Sequence, residues 1–425
     1  MNYSEAIEYI HSVNWTFCKP GLERVRELCS ALGDPQDSLK FIHVAGTNGK
    51  GSFCAMTDSI LRKAGYKVGL FTSPYIVEFN ERMRIDGENI SNEELCELVE
   101  IIKPHADKMA DKPTEFELIT ALAFLYFARH KCDVVVLECG LGGRLDATNV
   151  IKSPILSVIT GISLDHTAIL GDTVELIAAE KAGIIKRDAP VLWCGSDRSA
   201  ESVIRKKAEE LGAPFELVCR ESLKVRKMTL EGTEFDFGAR EGITLSLLGT
   251  YQPENAANVL SAIDILIKKG YNIPDFAVRD GMRTVCWQAR FEIVCRDPLI
   301  IADGGHNPEG IDSAVSSVKE YFGEQRVGVI TGVMADKDYR YMAARISSVA
   351  EKVFCLSPDN PRALCAEKYA EVFGDNGTEA VACESVADAV SSAIAWAKEN
   401  NAPVVSLGSL YMYGEVVGAL KKRNK

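Results

Sequence analysis

Lys40-Phe41-Ile42-His43-Val44-Ala45-Gly46-Thr47-Asn48-Gly49-Lys50-Gly51-Ser52 is the stretch on which the fold turns. Its first half is a short apolar run ending in glycine, which reads as a buried strand. Its second half is a glycine-rich turn. SFCAMTDSILRKAGY (52–66) then carries apolar residues at helical spacing, with Gly65 near its end, and KVGLFTSP (67–74) reads as a second strand. A bound phosphate needs converging backbone N–H groups and the positive end of a helix behind them. Gly46, Gly49 and Gly51 let the backbone come close, Thr47, Asn48 and Ser52 complete the turn, and Lys50 adds a mobile point charge. The spacing departs from the usual phosphate loop. Val44 stands where its first glycine belongs and Gly51 where its Ser or Thr belongs, leaving G-x-x-G-K-G-S, or else an ordinary glycine turn.

Working outward, the alternation continues. TEFELITALAFLYFARH (114–130) reads as an apolar helix with Thr114 as N-cap, and FLYF (124–127) within it as core. DVVVLECG (133–140), SPILSVITGI (153–162) and APVLWCG (189–195) read as strands; 172–186, 199–212 and 253–270 read as helices. Residues 215–248 alternate like short hairpins, and EFNERMRIDGENIS (78–91) is either a substrate loop or a charged connection. The order predicts an α/β fold, a mostly parallel P-loop-type sheet covered by helices on both faces, with ligands at the carboxyl ends of its strands. Arg296-Asp297-Pro298 is a polar break, followed by RVGVITGV, KVFCLS and APVVSLG as strands and helices at 310–322, 338–351 and 385–399. The expected division is an N-terminal domain of residues 1–295 and a smaller C-terminal α/β, Rossmann-like domain of residues 296–425.

Composition narrows the function. Forty-eight Lys and Arg against sixty Asp and Glu leave a net charge of −12, which argues against a general nucleic-acid binder. Hydrophobic residues make up 47%, too many for disorder. The thirteen cysteines have no Cys-x-x-Cys spacing and read as reduced thiols. No apolar run is long enough to span a membrane, MNYSEAIEYIHSVNW does not read as a signal peptide, and KKRNK (421–425) reads as a solvated tail. A cytoplasmic protein is expected.

Triphosphate chemistry calls for a divalent ion, and Mg²⁺ favours oxygen ligands. Ser73 ends a strand. Glu138 ends the very apolar strand DVVVLECG, where a carboxylate is costly unless a cation or a hydrogen-bond set satisfies it. His166 follows a third strand, in Leu164-Asp165-His166-Thr167. Lys181, in AAEKAGII, sits on an apolar helix where a lysine normally snorkels to water.

HVAGTNGKGS, FTSPYIVEFNERMRIDGENIS, LECGLGGRLDATNV, ISLDHTAILGDTVELIAAEKAGIIK, ENAANVLSAI and ADGGHNP occur in this order, with GSLYMYGEV later. Together they resemble the folylpolyglutamate synthase family, often bifunctional with dihydrofolate synthase, within the Mur-ligase superfamily. The resemblance spans roughly residues 1–415. It implies an ATP-dependent ligase that adds L-glutamate to a reduced folate or to dihydropteroate through an acyl phosphate. A monomer without nucleic-acid or membrane partners is expected. It implies that residues 46–52 hold the ATP phosphates, with Asn255, Arg290, Asp303 and His306 also on the nucleotide side. Two Mg²⁺ ions would be served by Ser73, Glu138, His166 and Lys181, the last carbamylated. Lys50, Glu138, His166, Lys181 and Arg290 would be the catalytic set, and Thr114, Phe116, Asp146 and Ala147 the pterin side. Two departures stand out: Tyr75 where the family often has histidine, and Gln288-Ala289 where Pro-Gly commonly precedes the arginine. A related ligase acting on a cell-wall precursor is the alternative. A P-loop GTPase is disfavoured because no Asn-Lys-x-Asp is present.

Overall fold

The computed structural model describes residues 1–12 and 20–423. Residues 13–15 of the N-terminal stretch, Cys18, and residues 424–425 of the terminal KKRNK lie outside the described residues. Among the described residues no disulfide is present, and no helix is long and apolar enough to cross a membrane.

The chain divides into two units, residues 1–223 with 254–285, and residues 224–253 with 286–425. The first unit is built on strands β1 (Phe41–Ala45), β2 (Val68–Phe71), β3 (Met83–Ile85), β4 (Glu88–Asn89), β5 (Val134–Glu138), β6 (Leu156–Ile159), β7 (Val191–Trp193) and β8 (Phe215–Leu217), in the order β4-β3-β2-β5-β1-β6-β7-β8. The six strands from β2 to β8 run parallel, with helices on both faces, while β3 and β4 add an antiparallel edge. The stretch 78–91 therefore becomes a 3-10 turn (Phe79–Arg82) and two edge strands. β1 is buried at all five positions. From it the chain crosses to β2 on one side, later fills the gap with β5, and then continues to β6 on the other side. That reversal places a crevice at the carboxyl end of β1, where such sheets hold their ligands.

The helix after β1 is Lys50–Lys63. It begins two residues before the point its apolar spacing suggested, because Gly49 (φ +84) caps it in a left-handed conformation. The helix Glu115–Arg129 forms as expected. Thr114 Oγ1 accepts from Glu117 N–H, and the Glu117 carboxylate accepts from Thr114 N–H and from Arg24 Nε and Nη2 at 2.9 and 3.0 Å. Phe124 and Phe127 are fully buried beside Phe41 and Phe71, so FLYF is core.

The second unit contains a three-stranded antiparallel ribbon, β9 (Leu223–Thr229), β10 (Gly232–Phe237) and β11 (Arg240–Leu245). Its six-stranded sheet comprises β12 (Glu292–Arg296), β13 (Leu299–Ala302), β14 (Val327–Thr331), β15 (Ala350–Cys355), β16 (Glu379–Ala382) and β17 (Val404–Leu407). The order is β12-β13-β17-β14-β15-β16, parallel except for the antiparallel β12–β13 pair. Val329, Val353, Val405, Phe291 and Phe373 share its core.

This division corrects the boundary expected near residue 296. Arg296-Asp297-Pro298 is the turn of a hairpin, since Arg296 pairs with Leu299 and Glu292 with Ala302. A polar turn inside one sheet looks locally like a linker. The ribbon also belongs with the second unit, where Gly249 N–H donates to Tyr321 Oη (3.1 Å) and Thr250 N–H to Ser317 Oγ (3.0 Å) on the helix Pro308–Phe322.

Candidate active site

The phosphate loop is held open by the strand beside it. Thr160, just past β6, donates from Oγ1 to Asn48 O (2.8 Å), and Thr47 N–H donates to Gly161 O (2.8 Å). Gly46 has φ +154, and a Cβ there would stand 1.7 Å from Thr160 Oγ1. At Gly49 a Cβ would meet Asn255 Oδ1 at 2.8 Å, so the Asn255 amide lies directly over the loop. Ser52 is buried in the first turn of the helix that follows.

Two lysines share one carbonyl. Lys50 Nζ donates to Gly46 O and Thr47 O, each at 3.1 Å, and Lys181 Nζ donates to Gly46 O at 2.8 Å. Lys181 is 3% exposed, so it does not snorkel. Burial first, and the neighbouring Lys50 charge second, push its pKa down to about 7. Its amine therefore gives up its proton far more readily than an ordinary lysine.

Gly46, Thr47, Lys50, His166 and Lys181 line one small cleft together with Asp165 and the turn Gly140–Gly142. His166 takes φ +49, and its half-exposed side chain lies with Nε2 3.9 Å from Asp165 Oδ2. Glu138 ends β5 opposite Val44 of β1; it is buried, and its Oε2 accepts from Ser73 N–H at 3.2 Å. Ser73 and Glu138 thus meet at the ends of neighbouring regions of one sheet.

The residues assigned to the pterin side cluster around the same turn. The Phe116 ring packs on Gly140, where a Cβ would stand 2.6 Å from Cζ, and lies 5.9 Å from the Phe71 ring. Asp146 is buried and accepts from Leu141 N–H (2.8 Å) and Thr148 N–H (3.0 Å); burial raises its pKa against those bonds. Ala147 is buried beside it, whereas the Thr114 hydroxyl is engaged in capping its helix.

In the second unit, Arg290, Asp303 and His306 also come together. Asp303 is buried, with Oδ2 accepting from Tyr251 Oη–H (2.8 Å) and Phe291 N–H (2.9 Å), and Oδ1 from Gly305 N–H (2.7 Å). Arg290 Nη1 donates to Ala289 O (2.9 Å), and a Cβ at Gly304 would stand 2.8 Å from it. His306 Nδ1 lies 2.9 Å from Gly304 O. Ala289 (φ +55) and Phe291 (φ +48) flank Arg290 in the left-handed region. Ala289 occupies the place where the resemblance puts glycine.

Sequence reasoning passed over Thr160, Asp165 and Tyr251. Thr160 had a signal, since it lies at a strand end as Ser73 and Glu138 do. Asp165 stood in a quoted motif. Tyr251 had none, because its partner lies fifty-two residues away.

Fold and loop together define a Mur-type ligase: residues 44–265 match the Mur ligase middle domain, and residues 289–410 the Mur ligase glutamate ligase domain. The chain is 40% identical over 430 residues to a dihydrofolate synthase/folylpolyglutamate synthase of Bacillus subtilis, covering 99% of each. It is 36% identical to a folylpolyglutamate synthase of Lacticaseibacillus casei, covering 98% of each. Its structure is similar to that of a folylpolyglutamate synthase from Thermotoga maritima, with TM-score 0.87 and 33% identity over 99% of this chain and 97% of that one. It is also similar to Escherichia coli FolC in complex with DHPP and ADP, with TM-score 0.86 and 30% identity over 100% and 99% of the two chains. The chain belongs to the folylpolyglutamate synthase/dihydrofolate synthase family of Mur ligases.

Proposed function

We propose that this protein is an ATP-dependent ligase that joins L-glutamate through an amide bond to a pteridine-linked carboxylate, either a reduced folate or dihydropteroate. The observation that carries the reading is the cleft in which Lys50 and a buried Lys181 converge on the Gly46 carbonyl. Full-length relatives named for both activities support the choice of substrates.

A carboxylate cannot be attacked usefully by an amine, because oxide is too poor a leaving group. Attack of the substrate carboxylate on the γ-phosphate of ATP gives an acyl phosphate and ADP. The α-amine of glutamate then adds to the acyl carbon, and phosphate departs from the tetrahedral intermediate. Two like unit charges about 4 Å apart repel by about 4 kcal/mol at an effective dielectric of 20, so bringing anions together needs fixed positive charge. The loop N–H groups of residues 46–52 and Lys50 supply it around the phosphates. The Asn255 amide lies over that loop, and Arg290, Asp303 and His306 are assigned to the nucleotide side by the resemblance.

Among the described residues no three His, Cys, Asp or Glu side chains form a ready cation site. Mg²⁺ keeps waters and substrate phosphates in its shell and takes few protein ligands, so its site does not require such a cluster. Glu138, the Ser73 hydroxyl, His166 and a carbamate on Lys181 are the residues that would hold it. When bound, the ion neutralises charge developing on the transferred phosphoryl group. An unprotonated amine is what addition to CO₂ requires, and the environment of Lys181 provides it.

The test is incubation with ATP, Mg²⁺, L-glutamate and either dihydropteroate or tetrahydrofolate, read by mass spectrometry. The expected product is heavier by one glutamyl unit, formed with ADP and phosphate. Its absence with both acceptors, or glutamylation of a cell-wall precursor instead, overturns the proposal.

A further inference from the structure

His43 stands in the middle of β1, three residues before Gly46, and has no part in the chemistry above. Its ring is fully buried, and burial pushes its pKa down to about 3, so it is a neutral imidazole with a single N–H. Nε2 lies 2.8 Å from Thr148 Oγ1 and 3.1 Å from Cys139 Sγ, whereas Nδ1 is buried without a partner. The Thr148 hydroxyl donates to Asp146 Oδ1, which also accepts Thr148 N–H, while Asp146 Oδ2 accepts Leu141 N–H.

The proton count orders this group. The one hydroxyl proton of Thr148 goes to the Asp146 carboxylate, so only lone pairs of that oxygen face His43. A proton on Nε2 satisfies that oxygen, whereas a bare Nε2 could accept only the weak Cys139 S–H, 3.1 Å away. The other tautomer would leave an N–H orphaned at Nδ1, a rarer and costlier fault than a bare lone pair. A directed chain results, from His43 Nε2–H to Thr148 Oγ1–H to the Asp146 carboxylate, which also accepts Leu141 N–H from the turn that lines the cleft.

We propose that His43 is a positioning residue for acceptor binding: through Thr148 it sets the place of Asp146 and of the turn Gly140–Asp146, against which Phe116 packs. The assignment of that turn to the pteridine acceptor rests on the proposed function, whereas the direction of the hydrogen-bond chain does not.

Two substitutions separate positioning from mere filling of space. His43→Leu removes the donor at similar volume; His43→Gln returns an amide N–H close to the former Nε2. With His43→Leu the KM for dihydropteroate or tetrahydrofolate should rise about tenfold while the KM for ATP stays within about twofold, and His43→Gln should recover most of the loss. Thr148→Val should reproduce the effect of His43→Leu, and the double variant should be little worse than either. ¹⁵N spectra of the unsubstituted, histidine-labelled protein should show His43 protonated at Nε2 alone. The proposal fails if both KM values rise together in step with loss of folded protein, if Gln is no better than Leu, or if the ring carries its proton on Nδ1. Should the unsubstituted protein glutamylate neither acceptor, the functional reading fails. The His43 tautomer and the thermal-stability coupling of His43→Leu with Thr148→Val then decide this proposal on their own, additive losses counting against it.

Discussion

The loop Gly46–Ser52 of the first unit and the turn Trp287–Phe291 of the second both bend the backbone sharply to present a cation, Lys50 in one and Arg290 in the other. They do it with different residues. The loop takes its positive φ values at Gly46 and Gly49, which tolerate them. The turn takes them at Ala289 and Phe291, whose Cβ atoms resist a left-handed conformation, so contacts must hold it. Asp303 does so by accepting Phe291 N–H, and Glu292 Oε2 by accepting Ala289 N–H at 3.0 Å. A shape written in glycine is legible locally. A shape imposed on alanine and phenylalanine exists only once its distant partners have arrived.

The largest effect should come from the lysine that the loop brings into play. Lys181→Ala should abolish ligation, with partial recovery on adding short carboxylates, and ¹³C-bicarbonate should give a carbamate NMR signal that the variant lacks. Full activity of Lys181→Ala without added acid would remove Lys181 from the site. The same residue predicts a pH effect on bicarbonate-free protein. Its folded pKa, about 7, lies below the unfolded value, so between about 7 and 10.5 the unfolded chain binds the extra proton. Melting temperature should therefore rise with pH across that window, relative to a Lys181→Met variant, and this pH dependence should flatten below about pH 7, where the lysine is protonated in both states.

Next comes the loop itself. Gly46→Ala drives a methyl into Thr160 Oγ1, and the resulting shift should cost ligation on the order of 100-fold, with weakened ADP binding by calorimetry. Near-normal nucleotide affinity would show that the backbone conformation at Gly46 does not matter.

The second-unit turn should answer more mildly and in both directions. Asp303→Ala orphans the Tyr251 hydroxyl and the Phe291 and Gly305 N–H groups, and should lower stability by at least about 2 kcal/mol in urea denaturation. Ala289→Gly relieves the left-handed strain but surrenders a buried methyl, so it should stabilise by at most about 1 kcal/mol. A clear loss of stability there would mean that Ala289 is unstrained and the contrast between the regions is empty.

Much of the first unit could be read directly. The strand before Gly46, the helix opened by Gly49 and the Thr114 cap are short-range patterns, in which a few neighbouring residues contain all the physics. The placement of 78–91 as two edge strands was not legible, because a charged stretch pairs antiparallel only when a sheet edge is offered to it. The hairpin at Arg296-Asp297-Pro298 posed as a linker for the same reason: what pairs across it lies outside any local window.

Residue order by itself determined the strand–glycine turn–helix module, the alternation that makes a parallel sheet, and which side chains could serve phosphate and metal, since each depends on spacing within about one or two turns of chain. Tertiary structure alone decided that Lys181 is buried against Gly46 and loses its proton readily, that His43 meets Thr148 across more than a hundred residues, and that Ala289 adopts a glycine's conformation. Burial, charge proximity and imposed strain are properties of neighbours in space, and a linear chain does not state who those neighbours are.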